Sequence, residues 1–171
     1  MDILAHSLWT NLGRDYLVKK TNKKISRFWS IFFGIFPDLF AFTPIFIWSI
    51  FNKVFLHPSE IEPFSHNHLF INQLTYGLYN LSHSLIIFGI VFLIIYLIKR
   101  KIYFALFGWP LHILIDIFSH SYQFYPTPFL WPVSNFKVNG ISWGNPWFMT
   151  INYLALLIFY SVLFLRKNKK I

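Results

Sequence analysis

Residues 85–98 read LIIFGIVFLIIYLI, a run without a single charged side chain. Such a run is typical of a membrane-crossing helix, which needs about 20 mostly apolar residues. It belongs to a segment spanning 82–98, and four further apolar segments accompany it, at 3–18, 28–51, 102–119 and 147–165. The first is short and amphipathic, so it can span, re-enter or lie at the interface. We therefore expect an all-α, polytopic membrane helical bundle of four to five apolar segments, forming one integral-membrane domain over residues 1–171.

The composition supports a membrane protein and excludes several other classes. Of the 171 residues 56% are hydrophobic, none is cysteine, and the formal net charge is +9. Disulfides and thiolate metal sites are thus impossible, and no RNA-binding signature or helix-turn-helix supports a nucleic-acid partner. The basic residues cluster at 19–27, 99–101 and 166–170. By the positive-inside rule these clusters and the C-terminus are cytoplasmic, and the loops at 53–81 and 121–146 lie outside.

The stretch GWPLHILIDIFSH at 108–120 places ionisable side chains inside an apolar segment. His112, Asp116 and His120 follow one another at intervals of four, so they share one face of a helix. An aspartate in a span costs about 2.5–3.5 kcal/mol on insertion scales, so it needs a partner or a polar cavity. One interpretation is a buried Asp–His pair that fixes helix packing. The other is a metal site, because both side chains can reach one ion.

Three further polar residues occur in apolar surroundings. Asp38, in GIFPDLF, follows Pro37, which is expected to interrupt the helix and open a polar pocket. Asp38 can alternatively cap the half-helix after this break. His83, in NLSHSL, stands at the end of its segment, where a lone histidine is often only interfacial. His6 lies in the first segment. His57, His66 and His68 belong to a polar loop and are treated as solvated.

Together these residues predict a cavity in which several segments bring their polar side chains to one metal. Imidazole and carboxylate ligands without thiolate suit zinc, and manganese or iron are the alternatives. The predicted ligands are His6, Asp38, His83, His112 and Asp116, and the predicted catalytic residues are His120 and Asp116. A metal there would activate water and polarise a phosphoryl or carbonyl oxygen.

The order of the motifs resembles the YdjM-like family of inner-membrane, metal-dependent hydrolases of bacteria and archaea. The resemblance covers residues 4 to 135 and rests on A-H-S at 5–7, P-D at 37–38, L-S-H-S at 81–84, G-x-x-x-H-x-x-x-D at 108–116 and L-W-P at 130–132. It implies a multi-pass protein of the cytoplasmic membrane. Two positions depart from the family pattern: Phe40 replaces a second acid, and Tyr79 replaces an arginine. The H-x-x-x-D spacing is also similar to zinc-dependent phospholipases C, which suggests a phosphoester substrate.

Three hypotheses follow. The first is a membrane-embedded hydrolase acting on a membrane lipid or lipid-linked phosphoester at the outer leaflet. The second is a non-catalytic ion or proton relay of Asp and His residues. The third is a structural or regulatory membrane protein with a degenerate metal site. The sequence does not specify an oligomeric state.

Overall fold

The computed structural model describes residues 1–55 and 70–168, and these form an all-helical fold. The loop histidines His57, His66 and His68 lie outside the described residues. The helices are α1 (Ile3–Thr21), α2 (Arg27–Phe55), α3 (Phe70–Ser82), α4 (Leu85–Lys99), α5 (Gly108–Ser119) and α6 (Pro146–Asn168). A 3-10 turn, Phe104–Phe107, leads into α5. Helix α2 is central, since α1, α3 and α5 all pack against it. The prediction of an all-α fold is confirmed.

Within residues 1–55 and 70–168, two helices are long and apolar enough to cross a membrane, α2 over Arg27–Val54 and α6 over Pro146–Leu165. The bent pair α3–α4 makes a third if it counts as one span. The predicted four to five spans are therefore not confirmed. Polar residues interrupt α1, and α5 has 12 residues, which gives a length of about 18 Å against a hydrocarbon core of about 30 Å.

Helix α2 continues through Pro37, so the predicted break and the alternative role of Asp38 as an N-cap are both wrong. Pro37 and Pro44 lie inside one helix of 29 residues. A proline removes one backbone hydrogen bond, and neighbouring helices can compensate for such a loss in apolar surroundings. The Ser82 hydroxyl, from the end of α3, also donates to the Pro37 carbonyl at 3.1 Å and so ties α3 to α2 at this point, although the carbonyl that Pro37 leaves without its helical donor is that of Phe33. Asp38 consequently lies in mid-helix, with its side chain turned toward the other helices.

The irregular backbone occurs instead between α3 and α4, which meet at 60°. Ser84 caps α4 by accepting hydrogen bonds from the amides of Ile86 and Ile87. The Leu85 amide donates to the Phe129 carbonyl at 3.0 Å. A segment outside the helices thus satisfies the backbone at the bend. His83, at this bend, is fully buried, so it is not a solvent-exposed interfacial residue.

A close crossing of three helices sets the spacing of the bundle. A Cβ at Gly34 would lie 2.1 Å from Thr10 Oγ1, and one at Gly108 would lie 2.5 Å from the Ser30 carbonyl oxygen. Only glycine permits this approach of α1, α2 and α5. His6, Asp38 and His112 each lie four residues from one of the contacting positions, Thr10, Gly34 and Gly108. The crossing therefore aligns three polar side chains one helical turn away.

Gly108→Ala is expected to destabilise the protein by roughly 1–3 kcal/mol, as overpacking does in a close-packed interior. The added methyl group would meet backbone atoms of α2, which cannot rotate away. Gly89→Ala is the control, since a Cβ there meets nothing within 4 Å. Thermal unfolding in detergent, followed by the helical circular dichroism signal, compares the two variants. Equal melting temperatures would contradict the role assigned to the crossing.

Candidate metal centre

Four buried side chains from three parts of the fold meet at one point. Asp38 comes from α2, His83 from the α3–α4 bend, and His112 and Asp116 from α5. One ligand atom from each lies within 4.8 Å of all the others. Asp116, His83 and His112 are 0% exposed, and Asp38 is 7% exposed. The i, i+4 spacing on α5 thus puts His112 and Asp116 in the same cluster, and α2 and the bend supply its other members.

The distances between the four ligand atoms fit tetrahedral coordination of one ion. His112 Nε2 lies 3.1 Å from His83 Nε2 and 3.1 Å from Asp116 Oδ2. His83 Nε2 lies 3.5 Å from Asp38 Oδ1 and 3.6 Å from Asp116 Oδ2, and His112 Nε2 lies 3.6 Å from Asp38 Oδ1. Tetrahedral ligands about 2.0–2.1 Å from a zinc ion lie about 3.3–3.4 Å from one another. The set can therefore hold a divalent cation with small adjustments.

Hydrogen bonds at the far ring nitrogens orient the histidines. His112 Nδ1 lies 2.8 Å from the Gly34 carbonyl oxygen. His83 Nδ1 lies 2.9 Å from Ser82 Oγ and 3.3 Å from the Tyr79 carbonyl oxygen. A carbonyl oxygen only accepts, so we assign the ring proton to Nδ1 in both residues. This leaves Nε2 as a lone-pair donor facing the cluster, the arrangement found around ligating histidines.

With this tautomer assignment none of the four side chains carries a positive charge, and the α-amino group of Met1 contacts Asp116 only at the other carboxylate oxygen, Oδ1. With neutral rings, the lone pairs of His83 Nε2 and His112 Nε2 face each other across 3.1 Å. Two carboxylates complete the group, and Asp116 Oδ2 has no hydrogen-bond partner among the described residues. Buried lone pairs and carboxylates without donors are unfavourable in an apolar interior. A cation at the centre would resolve both problems.

The second carboxylate oxygen of Asp116 faces a different group. Oδ1 lies 3.0 Å from His6 Nε2 and 3.5 Å from His120 Nε2. The α-amino group of Met1 lies 2.5 Å from Oδ1 and 3.0 Å from His120 Nε2. The Ser119 hydroxyl donates to Oδ1 at 3.1 Å. His6 and His120 are therefore near the cluster but on the opposite side of Asp116 from His83.

The segment after α5 holds His120 in place. The Gly140 amide donates to the His120 carbonyl at 2.8 Å, and His120 Nδ1 lies 2.8 Å from the Tyr125 carbonyl oxygen. A Cβ at Gly140 would lie 2.4 Å from the Phe118 carbonyl oxygen, so glycine is needed for this approach. His120 Nε2 is thereby directed at Asp116.

Tyr79 is a site residue that the sequence alone did not identify. Its ring stacks on His83 with centroids 3.8 Å apart, and its hydroxyl donates to the Tyr125 carbonyl at 2.7 Å. The hydroxyl also lies 3.2 Å from His120 Nδ1. The sequence pattern that could have identified Tyr79 lies in α3, whose buried residues include Asn72, Thr75, Tyr79 and Ser82. Their spacing of three to four gives this helix a buried polar face.

The two departures from the family pattern differ in consequence. Phe40 is 41% exposed and packs on Phe36, with ring centroids 5.5 Å apart. An acid at position 40 would project away from the cluster, so Phe40 removes no ligand from the set around Asp116. Tyr79 does lie at the site and contributes an aromatic ring and a hydroxyl in place of a cationic side chain.

No protein-family model, no curated protein and no solved structure matches this chain. The likeness to the YdjM-like hydrolases therefore stays a prediction from short motifs.

Proposed function

We propose that this chain is a membrane-embedded, metal-dependent hydrolase of phosphoesters, with a lipid or lipid-linked substrate. The observation that carries the proposal is the buried group Asp38, His83, His112 and Asp116, whose ligand atoms are spaced for a divalent ion. Its setting between apolar helices supports a substrate that partitions into the bilayer. A location in the cytoplasmic (inner) membrane of a bacterium or archaeon belongs to the same proposal.

In this proposal the chain supplies ligands, orientation and a proton carrier. A bound divalent ion would polarise a phosphoryl oxygen and make water a better nucleophile at neutral pH. Zinc suits the nitrogen and oxygen donors, and manganese or iron are the alternatives. Hydrolysis also takes one proton from the water and delivers one to the leaving alcohol oxygen. His120 is assigned this transfer because its Nε2 faces Asp116 while its Nδ1 is fixed by Tyr125.

The burial of the ligands favours a second candidate, a non-catalytic membrane protein that a metal stabilises. Four protein ligands around one tetrahedrally coordinated ion are typical of structural sites, whereas catalytic sites keep a position open.

In the hydrolase proposal, Asp38 marks the accessible side of the cluster, because its side chain is the most exposed carboxylate of the group, at 10%. A substrate would therefore approach from the side of Asp38.

Metal content and hydrolysis, measured on the same preparation, test the proposal. We expect at least one transition metal per chain in detergent-purified protein, together with metal-dependent cleavage of bis(p-nitrophenyl) phosphate or a phospholipid. His112→Ala should lose both properties because it removes a central ligand. Asp15→Asn is the control, since Asp15 pairs with Arg14 and Arg27 away from the cluster. Bound metal without hydrolysis of either substrate would favour the structural candidate, and metal-free protein after controlled loading would exclude both candidates.

A further inference from the structure

We infer that Asp116 bridges two divalent cations and that His6 and His120 hold the second one. When that ion is bound, His120 is a ligand, and the proton transfer assigned to it above applies to the site with one ion. The inference rests on the proposed metal site around Asp38, His83 and His112. It adds a distinct set of donor atoms on the other carboxylate oxygen. His6 Nε2 and His120 Nε2 lie 3.0 Å and 3.5 Å from Asp116 Oδ1.

His6 provides the independent observation. It is 0% exposed, and neither of its ring nitrogens has a hydrogen-bond partner among the described residues. Its Nε2 lies close to Asp116 Oδ1 without hydrogen-bond geometry. The buried imidazole stacks on His112 and contacts Asp116 Oδ1, but neither nitrogen makes a well-formed hydrogen bond to replace its lost solvation. Coordination of a cation through Nε2 would compensate for that loss.

The stacking of two rings sets the spacing of the two sites. The rings of His6 and His112 are nearly parallel, at 23°, and their centroids lie 3.8 Å apart. His6 faces Oδ1 of Asp116 and His112 faces Oδ2. Two ions held by these rings would have a similar separation, and two-metal hydrolytic sites have ions about 3.5–4 Å apart. A carboxylate with one oxygen toward each ion is suited to bridge them.

The two donor sets differ in the number of protein ligands. Four side chains surround the first position, whereas Asp116, His6 and His120 provide three at the second. Three protein ligands with a remaining position are typical of catalytic zinc. The α-amino group of Met1 also contacts Asp116 Oδ1 and His120 Nε2, so an ion here would displace that group or bind beside it.

The charge balance of the two-ion site favours one class of substrate. Two divalent ions bring +4 and the carboxylates of Asp38 and Asp116 bring −2, which leaves +2 in an apolar interior if the α-amino group of Met1 is displaced and +3 if it stays. A buried excess of this size requires an anionic partner. A phosphate group supplies it, and a neutral ester does not. The second ion therefore favours a phosphomonoester or phosphodiester over a carboxylic ester.

The test is the metal stoichiometry of full-length protein purified through a C-terminal tag and loaded with Mn²⁺. We expect two Mn²⁺ per chain and the electron paramagnetic resonance spectrum of a spin-coupled pair. His6→Ala and His120→Ala, from different parts of the fold, should each bind one Mn²⁺ with an uncoupled spectrum. Ser7→Ala is the control on α1, because the Ser7 hydroxyl donates a hydrogen bond to the Leu4 carbonyl and does not contact the cluster. Circular dichroism confirms that each variant remains helical.

Two outcomes would overturn the inference. The first is a wild type that saturates at one Mn²⁺, lost in His83→Ala, which would leave the first site and the proposed function in place. The second is a His6→Ala or His120→Ala variant that still binds a coupled pair. A wild type that binds no Mn²⁺ and no Zn²⁺ would contradict the proposed function as well, so the two failures are distinguishable.

Discussion

Asp116→Asn is expected to remove the bound metal from both positions and to lower phosphoester hydrolysis by at least about 100-fold. Loss of a residue that only orients a ligand costs about 10- to 100-fold in metal affinity or activity, and Asp116 is itself the shared ligand. Its Oδ2 lies 3.1 Å from His112 Nε2, and its Oδ1 lies 3.0 Å from His6 Nε2. Asparagine keeps the shape, but it removes the charge and replaces one oxygen by a donor NH₂ group.

Metal content by mass spectrometry and initial rates of hydrolysis measure this effect. Asp15→Asn makes the same chemical change at a carboxylate that accepts a hydrogen bond from Arg14 and lies outside the cluster. The metal content of this variant should therefore match that of the wild type. Retention of the full metal content in Asp116→Asn would show that other residues hold the ions. A helical circular dichroism spectrum like that of the wild type ensures that a loss is local.

The parts of the site that sequence alone could predict are those carried by helical periodicity. His112, Asp116 and His120 follow the i, i+4 rule, which depends on one helix only. Asp38, His83 and His6 were recognised as polar residues in apolar segments, where such side chains need partners. The structure places Asp38 and His83 with His112 and Asp116, and places His6 and His120 on the other side of Asp116.

The remaining features depend on contacts between distant parts of the chain. The sequence predicts a loop over 53–81, whereas the structure has the 13-residue helix α3 in the second half of that stretch. The bend at His83 depends on the hydrogen bond from the Leu85 amide to the Phe129 carbonyl, 44 residues after Leu85, and on the cap by Ser84. The sequence predicts a break of α2 at Pro37, but the helix continues. The Ser82 hydroxyl donates a hydrogen bond to the Pro37 carbonyl. Local sequence preferences carry no information about these tertiary contacts. They therefore predict the irregular backbone at Pro37, whereas it lies between α3 and α4.

Removal of metal by a chelator is expected to lower the melting temperature of the wild type by about 10 °C. Metal that binds only the folded state stabilises it by about 4 kcal/mol when its free concentration is about 1,000 times the Kd. For a chain of this size each kcal/mol corresponds to about 2–4 °C. Without a cation, His83 Nε2 and His112 Nε2 face each other at 3.1 Å beside two carboxylates. The metal-free fold must bear this unfavourable arrangement, which the ion relieves.

The response of Asp116→Asn separates a specific effect from a general effect of the chelator. This variant should melt at the same temperature with and without chelator, because it has no bound ion to lose. Tryptophan fluorescence can follow the transition, since the chain contains seven tryptophans, and restoring Zn²⁺ should restore the wild-type value. Equal melting of the wild type in both conditions would mean that the histidines and carboxylates are stable as a metal-free network. In that case Asp116 would be a packing or proton-relay residue, since the α-amino group of Met1 at its Oδ1 would itself provide the compensating charge.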